Sequence, residues 1–230
     1  MSIYVPAKYQ TDGGARKVAD DLIDMVEAIA AGAPEKFQMV RKTSEARSIL
    51  GTGKVGLALG IENGAALESK LDNVDHFFNR GVRYITLTHS KDNAICDSSY
   101  DDARTHGGLT DFGKSVVTRM NKLGVMIDIS HVSDPAFFDV MKLTRAPVIA
   151  SHSSARHFTP GFERNMSDAM IKLVGENEGV VMINFGSTFI SAKSRAHSDA
   201  RRKVLRACMA EHQLDWQDPK VQAYKDEYDA

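Results

Sequence analysis

Six short apolar runs rich in β-branched residues punctuate the chain: SIYV (residues 2–5), KVGLALGIE (54–62), VRYITLTH (82–89), VMIDISH (125–131), PVIASH (147–152) and GVVMINF (179–185). Each is the length of a buried strand. Between them apolar positions recur with helical spacing over 14–31, 67–80, 111–123, 134–143 and 167–176, predicting five helices. Asp134 followed by Pro135 suits a helix start, and Gly81, Gly124 and Gly179 each stand between a helix and a strand, where a left-handed residue ends a helix cheaply.

Strands apolar on both faces and separated by helices predict a parallel sheet covered by helices. An open doubly wound sheet and a closed (β/α)8 barrel of TIM type both have this order. The ends of the runs discriminate, because Glu62, His89, His131, His152 and Asn184 sit at the carboxyl ends of different predicted strands. A barrel gathers such groups at one mouth. An open sheet concentrates them at one switch point beside a glycine-rich turn, and GTGKVG (51–56) precedes a strand without opening a helix. The barrel is the favoured fold, with the whole of residues 1–230 as one domain. Residues 191–230 are polar and charge-dense, with Val204, Leu205, Leu214 and Trp216 as modest apolar anchors, and predict a helical excursion on its surface.

Composition narrows the partners. Lysine plus arginine number 29 against 30 acidic residues, a net charge of −1, so no bulk electrostatic attraction to nucleic acid or an anionic membrane is expected. No run approaches the roughly 18–20 apolar residues of a membrane span, and the start lacks the basic and apolar regions of a secretory signal, so the expected location is cytoplasmic. Cys96 and Cys208 form no CxxC pair and read as free thiols.

A lone histidine after an apolar strand usually packs against a carbonyl. Three histidines and a glutamate at the ends of separate parallel strands instead match the imidazole and carboxylate donors of catalytic zinc sites, which keep a position open for water. A carboxylate can also bridge two cations, so a metal hydrolase is the leading reading. Asp128 is either a support for a ligand or a partner for a buried backbone group, and Asn93 and Asp97 either line the cleft or order their loop. His76, His106, His157, His197 and His212 fall on helices or polar loops and read as surface residues.

The ordered motifs GLALGIENG, GVRYITLTHS, GLTDFGKSVVTRMNKLGVMIDISHVS, APVIASHSSAR, RNMSD and VVMINF resemble the membrane dipeptidase (renal dipeptidase-like) family of zinc metallopeptidases, peptidase family M19, over about residues 2–190. The resemblance implies an enzyme with two zinc ions that hydrolyses dipeptides through a metal-held hydroxide. It implies Glu62 as the carboxylate bridging the zincs, and His131 and His152 as imidazole ligands of one of them. His89 is implied to be a catalytic, substrate-contacting group that stabilises the oxyanion without binding metal. Arg164 is implied to hold the substrate's terminal carboxylate, a task suited to a guanidinium fork; taken alone, it reads as a solvated loop arginine.

The family also has a first strand with a His-x-Asp pair and a last strand with a proton-transferring aspartate, and neither motif is found here. The expectation is therefore a fragment with six of eight strands and at most one well-ligated zinc, inactive or weakly active alone. Two rivals stand beside it: another barrel metallohydrolase, and a noncatalytic remnant or subunit completed by another chain. A homodimer is also compatible.

Overall fold

The computed structural model describes residues 1–214 and 220–221. Its elements run β1 (Ser2–Tyr4), α1 (Tyr9–Asp12), α2 (Ala15–Gly32), β2 (Phe37–Val40), α3 (Thr43–Ser48), β3 (Val55–Glu62), α4 (Asp72–Asn79), β4 (Val82–Thr86), α5 (Asp111–Leu123), β5 (Met126–Asp128), α6 (Asp134–Leu143), β6 (Ile149–Ser153), α7 (Asp168–Glu176), β7 (Val180–Ile183), α8 (Ser187–Ile190) and α9 (Ala192–His212). A 3-10 turn follows β3 at Gly64–Leu67.

All strand pairings are parallel, in the order β1-β3-β4-β5-β6-β7. This is the curved sheet of an incomplete (β/α)8 barrel, and among the described residues nothing pairs β1 with β7. One strand was not expected. β2 lies against Val55–Ala58 of β3, while β1 pairs with it further along, at Gly60–Glu62.

Helices cover the sheet because their apolar stripes face it. Ala19, Ile23 and Val26 of α2, Val116, Val117 and Met120 of α5, and Phe137 and Val140 of α6 pack on Ile61, Ile85, Ile127 and Val148, all buried. Full burial of one such side chain stabilises by about 1.5–3 kcal/mol. The far edge differs: Val180, Met182 and Ile183 of β7 are about half exposed, and Phe185 is 84% exposed.

Two local expectations are corrected. Ser133, not Asp134, caps α6: its hydroxyl accepts from the Ala136 N–H, which leaves Asp134 and Pro135 inside the first turn. Gly179 is not left-handed; Glu178 takes that conformation at φ 59°. The glycine is needed because a Cβ would come within 2.5 Å of the Val148 carbonyl oxygen. Gly124 does close α5 in the left-handed region, at φ 75°.

In the last segment Leu205 and Met209 are the buried residues of α9 and Val204 is exposed; Trp216 lies outside the described residues. No helix among the described residues is long and apolar enough to cross a membrane.

Candidate metal centre

Glu62 is the last residue of β3, and its carboxylate is the focus of the sheet's carboxyl ends. Three imidazole Nε2 atoms approach Oε1: His152 at 3.3 Å, His89 at 3.4 Å and His131 at 3.5 Å. Ser2 of β1 donates to Oε2 at 2.8 Å. The parallel register makes this meeting possible, because Tyr4, Glu62, Thr86 and Asp128 stand in line across β1, β3, β4 and β5. His89 and His131 each lie three residues beyond the end of their strand, and His152 lies inside β6.

His131 reaches inward at a conformational cost. Its φ is 73°, in the left-handed region that a histidine seldom adopts, and only 6% of its side chain is exposed. Such strain, held by surrounding structure, is characteristic of functional positions. The His131 ring packs 4.1 Å from that of His89 and 4.8 Å from that of His152, and Tyr4 meets His89 edge-on at 4.8 Å.

The electrostatics divide cleanly. Burial pushes the Glu62 carboxyl up, but its contacts with the His131, His152 and His89 imidazoles and the Ser2 hydroxyl outweigh it and hold Glu62 well below the usual carboxylate range. Burial pushes His131 down to about 3, against the opposing hydrogen bond to Glu62. At neutral pH the centre therefore pairs a carboxylate with a neutral buried imidazole, the protonation states a cation requires of its ligands.

These residues fit one cation. Bonds of about 2.0–2.1 Å place tetrahedral ligand atoms roughly 3.3 Å apart, close to the spacing of the three nitrogens from Oε1. Glu62, His89 and His131 bring ligand atoms within 4.8 Å of one another, and His152 joins them through a 2.8 Å contact between its Nε2 and that of His131. The Nδ1 atoms of His89 and His131 are buried without a hydrogen-bond partner, so both rings are held from the Nε2 side, toward Glu62, and by packing.

Arg164 is not a solvated loop arginine: it is 3% exposed and packed against β6. It donates from Nη1 to Ser153 Oγ at 2.8 Å and from Nη2 to the His152 carbonyl at 2.6 Å, and its buried Nε has no partner. Burial lowers its pKa, against the opposing charges of Tyr100, Asp128 and Glu62. Asn93 and Asp97 order their loop: Asn93 Oδ1 accepts from the Ile95 and Cys96 N–H groups, and Asp97 accepts from those of His106 and Gly108. Asn184 ties the end of β7 to that of β6: its N–H donates to the Ser153 carbonyl and its own carbonyl accepts from the Ser154 hydroxyl. Ser2, Tyr4 and Ser151 were not anticipated. Ser2, Ser151 and Thr86 join Glu62, Tyr84 and His152 around a cavity of about 230 Å³.

A sequence profile for membrane dipeptidase, peptidase family M19, matches residues 1–211. The chain belongs to that family. Among M19 relatives, it is 35% identical over 163 residues to dipeptidase tcpJ of Claviceps purpurea (strain 20.1), covering 71% of this chain and 38% of that protein. The probable dipeptidase PvdM from Pseudomonas aeruginosa superposes with a TM-score of 0.77 at 27% identity, over 97% of this chain and 60% of that one. A metallo peptidase from Rhodobacter sphaeroides, liganded with a phosphinate mimic of the dipeptide L-Ala-D-Ala, superposes with a TM-score of 0.75 at 26% identity, over 84% of this chain and 62% of that one. The M19 chain described here thus spans from over a third to about three fifths of the length of these relatives.

Proposed function

We propose that this centre is the zinc- and substrate-binding core of a dipeptidase, which hydrolyses the peptide bond of dipeptides. The observation that carries the reading is the convergence of three imidazole Nε2 atoms on Glu62 Oε1, at the ends of separate strands, in an M19 chain. Glu62, His131 and His152 would hold the zinc. When bound, such an ion supplies Lewis acidity to a scissile carbonyl and makes a water molecule acidic enough to attack near neutral pH.

The protein's own groups do the rest. Glu62 supplies the negative charge and His131 a neutral nitrogen already stripped of water by burial. His89 faces the same point from β4's loop and donates a hydrogen bond to the oxygen on which charge develops. Arg164, anchored on β6 through its Nη atoms, provides the positive charge that draws the substrate's carboxylate to this end of the cleft. Among the described residues the candidate ligands form one cluster, so this chain on its own binds one zinc and turns over dipeptides weakly or not at all. The exposed apolar strand β7 favours a second reading, in which another chain or segment completes the barrel.

Calorimetric titration with the phosphinate mimic of L-Ala-D-Ala, with and without zinc, tests the proposal. Zinc-dependent binding that disappears in Glu62→Gln supports it. Absence of binding in the zinc-loaded protein contradicts it, and family-like turnover by a chain with two tight zincs contradicts the single-ion clause.

A further inference from the structure

Resting on the metal-site reading above, we infer that Asp128 and Ser151 are positioning residues that lock His152 in the tautomer with its proton on Nδ1, leaving Nε2 bare for a cation. Asp128 is wholly buried at the end of β5 and receives four hydrogen bonds. Two come from backbone N–H groups, Ser130 at 3.1 Å and Ser151 at 2.9 Å, both to Oδ1. Two come from hydroxyls, Thr86 and Ser151, each at 2.6 Å to Oδ2.

A proton count then settles the direction of the next bond. The Ser151 Oγ also lies 2.7 Å from His152 Nδ1. A serine hydroxyl has one proton. A carboxylate has none to give, so the Ser151 proton must go to Asp128 and the Ser151 oxygen must accept from His152 Nδ1–H. The lone pair of His152 is left on Nε2, the atom 3.3 Å from Glu62 Oε1 and 2.8 Å from His131 Nε2. His131 has no such brace, since its Nδ1 is buried and unpartnered. The two histidines therefore differ: one is prepared for a cation through a chain of hydrogen bonds spanning three strands, the other by packing and backbone strain with no partner at Nδ1. Outer partners that fix a histidine ligand in this way are typically worth about 10–100-fold in metal affinity.

Asparagine at position 128 reverses the chain. Its amide oxygen is retained by the two backbone donors, so its NH2 faces Ser151 and donates; the Ser151 proton turns to His152 Nδ1, and the imidazole proton moves to Nε2. The test is a long-range nitrogen–proton correlation spectrum of the metal-free full chain with 15N-labelled histidine, at about pH 9, where imidazoles are neutral. His152 is assigned by the signal lost in His152→Gln. The expected wild-type pattern is a protonated Nδ1 and a bare Nε2, retained in Ser151→Thr and reversed in Asp128→Asn, with zinc affinity reduced about 10–100-fold in Asp128→Asn. A wild-type His152 with a bare Nδ1, or a pattern unchanged in Asp128→Asn, overturns the inference. Should Asp128→Asn not fold, the wild-type spectrum decides. Because the tautomer is read without metal or substrate, it stands or falls separately from the dipeptidase reading.

Discussion

The carboxyl ends of β3 to β6 and the strand β7 belong to one sheet but meet opposite surroundings. At the former, buried polar groups find partners across strands: Asp128 joins β4, β5 and β6, and Glu62 draws in Ser2 and three histidines. At the latter, Val180, Met182 and Ile183 stand about half exposed, and among the described residues only one edge of the strand is paired. Strands flanked on both sides can hold charged groups because neighbours supply donors and exclude water, whereas a strand at an open edge offers solvent and unpaired backbone. Glu62, His89, His131 and His152 all stand on strands of the first kind or in the loops that follow them.

Mutations should separate these regions sharply. Ile85→Ala, in the buried middle of the sheet, is expected to cost roughly 2–5 kcal/mol of unfolding free energy, measured by urea denaturation; a loss as small as that of a surface change would erase the distinction. Glu62→Gln keeps the shape but removes the charge that three histidines face. Its zinc affinity, read by competition with a chelator, should fall by more than about 100-fold, beyond the range typical of an outer partner.

Acid provides a third, smaller contrast. His131 stays neutral in the folded protein down to about pH 3 because it is buried, while in the unfolded chain it takes a proton near about pH 6.5. Between those values the unfolded state binds the extra proton, so stability falls as pH drops through the window. Glu62, held ionised in the fold, adds to the same trend below about pH 4.3, where an unfolded glutamate protonates. The urea midpoint of the metal-free protein should decrease from pH 7 to pH 4.5, and His131→Asn should flatten that slope. Smallest of all, Ile183→Thr on the exposed β7 edge should change stability by within about 0.5 kcal/mol; a core-sized loss there would show that the edge is covered in solution.

Burial on both faces does not extend to β7, where Val180, Met182 and Ile183 are about half exposed. Much of the sheet is nonetheless readable from six apolar runs because each is an unbroken β-rich stretch. β2 is not, since Phe37–Val40 is short and only Val40 is buried, which leaves no apolar run to notice. Glu62 and the three histidines stand out because charge ends an apolar run. Their meeting depends on register and on the left-handed backbone at His131, neither of which is written in local composition. Ser151 is the clearest omission. A serine before a histidine carries no signal alone, and it matters only because Asp128, 23 residues earlier and on the neighbouring strand, lies within 2.6 Å of its hydroxyl. The Ser133 cap was hidden by a neighbouring Asp-Pro pair that suits a helix start equally well.

X-ray absorption at the zinc edge, combined with metal analysis of the purified chain, tests the centre most directly. The account predicts one tightly held zinc per chain, coordinated by nitrogen and oxygen with an imidazole signature that weakens in both His131→Ala and His152→Ala. A chain that takes up no zinc, or one whose zinc environment is unchanged in those two variants, would contradict it.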